Sequence, residues 1–158
     1  MLLKIALPLL FVGTVPGQTL RLSSAAAAGG DRIRIEISLE SPRDQQPVAM
    51  QWETRIPVLR LVPLDRTLQI GPVARSAGKS ITCAMKSTSP ESASLSCLLQ
   101  GGQQPIPDGV IAALRLEIPA GSESGSARIR IDGGMAVLKD LRQLSLGATE
   151  TVVNIRHK

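Results

Sequence analysis

Tyrosine is absent from this chain of 158 residues, and phenylalanine, tryptophan and histidine occur once each. The shortage of aromatics makes functions that stack ligand rings on exposed aromatic platforms hard to supply, sugar gripping and base stacking among them. The lone histidine, His157, lies in the terminal Arg156-His157-Lys158, so a serine or cysteine nucleophile has no positioned imidazole. Two cysteines are too few for a disulfide-dense scaffold. Beyond the first residues there is no apolar run of about 20 residues, which excludes a multi-pass membrane protein. No charged block or low-complexity tract suggests a disordered tail. What remains is a chain of one domain's length, long enough to bury its own core.

The chain opens as an export signal reads. Lys4 is followed by the apolar stretch Ile5 to Val15, and Val15-Pro16-Gly17 is small enough for a peptidase site. The cut is placed after Gly17, giving a leader over 1–17 and a domain over 18–158, secreted or periplasmic and without stable membrane insertion. A cut within Ala25 to Ala28 would discard Thr19-Leu20-Arg21-Leu22-Ser23, which alternates like a first strand. Export gives Cys83 and Cys97 a specific meaning, because oxidising compartments pair thiols. They sit symmetrically about Pro90, flanking the turn-forming run Ser87-Thr88-Ser89-Pro90-Glu91-Ser92, which describes a hairpin with a cross-strand bridge. A redox pair or metal ligands fit less well, since the spacing is not C-x-x-C and no His lies nearby.

The dominant signal downstream is period two, which sends successive side chains to opposite faces of a sheet. Arg32 to Leu39 alternates without fault, with Ile33, Ile35, Ile37 and Leu39 inward. Val48 to Glu53 repeats the pattern and places Trp52 in the inward set with Val48 and Met50. Further strands are expected at Leu68 to Val73, at the two cysteine segments, at Val110 to Ile118, at Ala127 to Ile131 and at Thr151 to Ile155. Eight or nine short strands divided by Gly, Pro, Ser and Asp turns point to an all-β sandwich. Only Met135 to Leu146 could be helical; the alternative there is a loop with one more short strand.

Charge is biased to arginine, thirteen against five lysines. Arg32 and Arg34 project from one strand, Arg128 and Arg130 from another, and Arg115 from a third. If those outer faces adjoin, they form a basic patch suited to a partner's carboxylates or phosphates; otherwise they are a solvated face among Glu36, Glu53, Glu117 and Asp132. Nucleic acid is a poor partner for an exported chain without stacking residues. Ala77-Gly78-Lys79-Ser80 imitates the end of a phosphate-binding loop, but the glycine required five residues before Gly78 is Val73, and a strand follows. Gly101-Gly102 and Gly133-Gly134 read as turns. No Asp-x-Asp loop suggests calcium, so neither metal nor cofactor is expected. A carboxylate pair such as Glu53 with Glu117 or Asp108 is the one conceivable catalytic set, and nothing but their presence supports it. No catalytic residue is therefore assigned.

Four stretches resemble the cohesin-like domain family: Gly30-Asp31-Arg32 leading the alternating run to Leu39, then Val48-Ala49-Met50-Gln51-Trp52-Glu53. The third comprises Gly71-Pro72-Val73 with Ala77-Gly78-Lys79-Ser80, the cysteine strands and Gly101-Gly102, and the fourth is Ile106-Pro107-Asp108-Gly109-Val110-Ile111-Ala112-Ala113-Leu114. The cysteine hairpin resembles a variant found in stand-alone bacterial cohesin-like proteins. The resemblance implies a nine-stranded jelly-roll β-sandwich, related to carbohydrate-binding modules. It also implies a non-catalytic recognition module for a dockerin-like protein partner, linked through the family to polysaccharide breakdown. Cohesins hold dockerins on one sheet face, and no contact residue is carried over. Arg55 to Pro63 departs from the family's polar, tyrosine-containing stretch. Two alternatives stand beside this reading: a weak carbohydrate binder, disfavoured by the lack of aromatics, and a structural exoprotein that self-associates through a sheet edge.

Overall fold

The structure, a computed structural model, describes residues 17–158, so most of the expected leader lies outside the described residues. Eleven strands and one short helix follow in order: β1 (Thr19–Leu22), β2 (Ala25–Ala28), β3 (Arg32–Glu40), β4 (Ala49–Ile56), β5 (Val62–Ile70), α1 (Pro72–Ser76), β6 (Ser80–Ser89), β7 (Ser92–Gln100), β8 (Gly109–Glu117), β9 (Gly125–Val137), β10 (Gln143–Leu146) and β11 (Thr149–Arg156). They form two sheets. One has the order β1-β3-β8-β5; the other runs β2-β11-β9-β4-β7-β6, with β10 paired to β9 beyond that path.

Alternation in sequence becomes alternation in burial. Along β3, Ile33, Ile35, Ile37 and Leu39 are buried while Arg32 and Arg34 are exposed. On β4 the same phase buries Met50, Trp52, Thr54 and Ile56 and exposes Gln51, Glu53 and Arg55. β8 faces the opposing sheet through Ala112, Leu114 and Leu116, and β9 through Ala127, Ile129 and Ile131. Each large aliphatic in this layer contributes about 1.5–3 kcal/mol relative to exposure, and the two inner faces together make the core.

Three expectations change in detail. The strand expected over 68–73 begins earlier, at Val62, and stops at Ile70, because Pro72 has no N–H for the ladder and instead opens α1 at its first turn. Ala25 to Ala28 is a strand, β2, lying parallel to the C-terminal β11, with Ala25 opposite Val153 and Ala28 opposite Arg156. Met135 to Leu146 is not helical: β9 runs on to Val137 and returns through a turn into β10, as the loop-plus-strand alternative had it. With β2 and β10 added, the count rises from nine to eleven.

The Gly133-Gly134 pair also differs from the turn expected there. β9 passes straight through it, and the register against β4 jumps from Trp52 opposite Gly134 to Thr54 opposite Ile131, a bulge. Gly133 takes φ 125°, and a Cβ on Gly134 would collide with the Gln51 carbonyl and the Trp52 backbone. Glycine is needed there for close approach of two strands. Gly101-Gly102 does turn the chain, both at positive φ.

Candidate functional site

The five arginines singled out in sequence divide between the two outer faces of the sandwich. Arg32, Arg34 and Arg115 share the smaller sheet, where Arg34 lies directly across from Arg115. Arg32 Nε pairs with Glu117 Oε2 at 3.3 Å, and Arg34 Nε with Glu36 Oε1 at 3.5 Å. Arg128 and Arg130 stand on the larger sheet, behind the core from the other three. The single basic patch that adjoining faces would have made is therefore not formed.

On the larger sheet the charges organise around a residue the sequence reading did not select. Arg55 of β4 lies across from Arg130 of β9, and Asp132 at the bulge joins them, 3.0 Å from Arg55 and 3.4 Å from Arg130. Glu150 on β11 continues the chain of alternating signs, 3.8 Å from Arg128 and 4.0 Å from Arg130. All these side chains are at least a quarter exposed, so each pair contributes little to stability, about 0–1 kcal/mol. Phase along β4 could have placed Arg55 beside Glu53; its neighbour on β9 is a matter of long-range pairing.

The bulge also shapes this surface. Because Gly133 and Gly134 carry no side chains, a shallow depression of about 440 Å³ opens between Gln51, Glu53, Arg55, Ser96 and Asp132. Ser94 Oγ donates to Glu53 Oε1 at 2.7 Å and fixes one wall. At the adjoining row, Met135 and Leu98 flank Gln51, giving partly exposed apolar side chains beside the charged end. The result is a broad sheet face, charged at one end and apolar at the other, with a central dimple.

The acids considered for catalysis do not converge. Glu53 is on the larger sheet's outer face, Glu117 on the smaller sheet's, and Asp108 Oδ1 accepts the backbone N–H of Ser41 at 2.9 Å. Among the described residues no three His, Cys, Asp or Glu side chains cluster as metal ligands. Lys79, in the phosphate-loop imitation, points elsewhere: its Nζ donates to the Gly101 carbonyl at 2.7 Å and lies near Gly102 O at 3.4 Å. Desolvation holds its pKa below the ordinary lysine value. Its role is to pin the Gly101-Gly102 turn. Trp52 is 2 % exposed and offers no ring to a sugar. Cys83 and Cys97 are bonded, opposite each other on β6 and β7.

This two-sheet jelly roll is the fold seen in solved cohesin modules. A chain of a type I cohesin–dockerin complex from Clostridium thermocellum, built on OlpC, superposes with a TM-score of 0.73 at 16% identity, covering 90% of this chain and 95% of that one. The sixth cohesin of Acetivibrio cellulolyticus scaffoldin B, solved with a Cel5 dockerin, gives 0.72 at 16%, covering 89% and 100%. A non-cellulosomal cohesin from the archaeon Archaeoglobus fulgidus gives 0.59 at 10%, covering 89% and 92%. No family model matches the sequence, and no curated protein does. Among the described residues no helix is long and apolar enough to cross a membrane.

Proposed function

We propose that this chain is an exported, non-catalytic recognition module that presents the outer face of β9-β4-β7-β6 to a small helical protein domain of dockerin type. The carrying observation is the dimple at the β9 bulge, ringed by Arg55, Asp132, Glu53 and Ser96 on an otherwise continuous sheet surface. A rigid sheet with a recess and alternating charges suits a protein surface: a polar side chain of the partner enters the recess, apolar side chains pack on Met135 and Leu98 beside it, and charges set the register. Similar structures have been solved with dockerins, which supports the partner class. The leader-like opening and the Cys83–Cys97 bond support export. Any link to polysaccharide breakdown would come through the partner, because Trp52 is in the core.

The test is surface-immobilised protein lacking residues 1–17, titrated with a panel of dockerin domains with calcium and with chelator. Ser96→Trp fills the dimple and should weaken binding by about a hundredfold, as loss of a central contact does. Arg32→Glu with Arg115→Glu, on the opposite face, should leave it unchanged. Loss in the opposite-face variant with normal binding by Ser96→Trp would place the site on the other sheet, and retention on polysaccharide alone would overturn the protein-partner reading.

A further inference from the structure

A second surface lies at the side of the sandwich, where β5 and β6, edge strands of different sheets joined through α1, border an open groove of about 740 Å³. Its lining is apolar on the inside, with Leu68, Ile70, Ile81, Met85 and Leu95 beside the disulfide. Arg34, Arg66 and Arg75 stand along it, and among the described residues no acidic residue lines it. Met85 is 44% exposed and carries the apolar lining of the groove out to the surface.

The two edges are not equivalent. β5 is interrupted by Pro63, by a register break between Pro63 and Leu68, and by Arg66 at φ 55°. These are the devices that stop a strand from accepting a neighbour. β6 has ten residues without proline and, among the described residues, pairs to β7 alone; its one register irregularity falls at the far end, between Ser87 and Ser89, beyond Met85. Its register tells which backbone groups face outward. Cys83 and Cys97 have Cα atoms 4.2 Å apart, the narrow spacing of a pair that does not exchange hydrogen bonds. The N–H and C=O of Cys83 therefore point away from β7, and by alternation so do those of Ile81 and Met85. The residues whose side chains line the groove are also those whose main-chain groups face the open edge.

We propose that β6 accepts an extended segment of a partner protein as an added strand, apolar at alternate positions and acidic where it passes Arg34, Arg66 and Arg75. Main-chain hydrogen bonds to Ile81, Cys83 and Met85 give affinity, and the groove reads every second side chain. A second copy of this chain fits poorly, since self-pairing would bring two sets of arginines together on a protein of net charge +5. This surface is separate from the dimple and does not rest on the dockerin reading.

The experiment uses fluorescence anisotropy of a blocked peptide in which valine and threonine alternate between aspartates, with a composition-matched peptide whose valines are contiguous. The alternating peptide should bind, and binding should weaken as salt rises. Met85→Pro removes an outward donor without breaking a bond to β7 and should cost about tenfold or more in affinity, with the folded protein confirmed by its thermal transition. Arg66→Ala with Arg75→Ala, which leaves β6 untouched, should reduce both affinity and salt dependence. Ser96→Trp should bind the peptide normally. Absence of peptide binding, equal binding of the contiguous peptide, or full binding by a folded Met85→Pro variant would each overturn the proposal. So would sodium laurate binding in place of the peptide, or a concentration-dependent dimer that Met85→Pro abolishes.

Discussion

Replacing Cys83 and Cys97 together with alanine tests how the outermost strand of the larger sheet is held. The cysteines are 14 residues apart in sequence, and closing a loop of that size removes about 3 kcal/mol of denatured-state entropy. The local hairpin around Pro90 already restricts the unfolded chain, so the measured loss should be about 2–3 kcal/mol, a drop in melting temperature of about 10 °C for a domain of this size. The loss should be unevenly distributed. Among the described residues β6 has no second neighbour, whereas β7 is flanked by β4 as well. Thr82 and Ala84, whose amides face β7, should therefore exchange hydrogen faster in the double variant, while Gln51 and Glu53 on β4 keep their protection. Urea denaturation with and without reductant gives the global figure, and amide exchange gives its location. An unchanged midpoint on reduction, or loss of protection spread evenly over both sheets, would refute the reasoning.

Two further outcomes follow from close contacts. Gly134→Ala drives a methyl group into the Gln51 carbonyl and the Trp52 backbone, so it should destabilise by about 1–3 kcal/mol in urea titration; a change within noise would mean that β4 and β9 can part at no cost. Lys79, 6 % exposed, has a folded-state pKa lowered by desolvation from the ordinary 10.5. Between the folded value and 10.5 the unfolded chain binds more protons, so this residue's contribution makes stability rise with pH through that alkaline window, and it is lost as pH falls through the folded pKa. Lys79→Met should remove that slope in stability measured against pH, and identical alkaline profiles for the two proteins would contradict the assignment.

Much of the architecture was readable because it is local. The faultless phase of Arg32 to Leu39 fixed an inward face, and the same logic put Trp52 in the core. The symmetric flanks of Pro90 described the hairpin and its bridge. The readings that failed depend on partners distant in sequence. Four alanines have no period, and β2 exists only because β11 lies alongside. Gly133-Gly134 looks like a turn until β4 is present to make it a bulge. Pro72 was the one missed local signal, since a proline after glycine at a strand's end suits a helix's first turn. For the candidate site, outward phase exposed Arg32, Arg34, Arg128 and Arg130 and left Arg115 half-buried, but which of them meet is a property of strand order. That order set the arginines on two opposite faces and joined Arg130 to Arg55 through Asp132.

The parallel pairing of β2 with β11 has a mechanical consequence. Tension applied through the two chain ends would draw Ala25 to Ala28 and Val153 to Arg156 past each other along their length, so the hydrogen bonds of that ladder share the load instead of opening singly. A protein tethered at one terminus and pulled at the other would load this ladder in shear together with the pairing to β3 of β1, which precedes β2 in the chain.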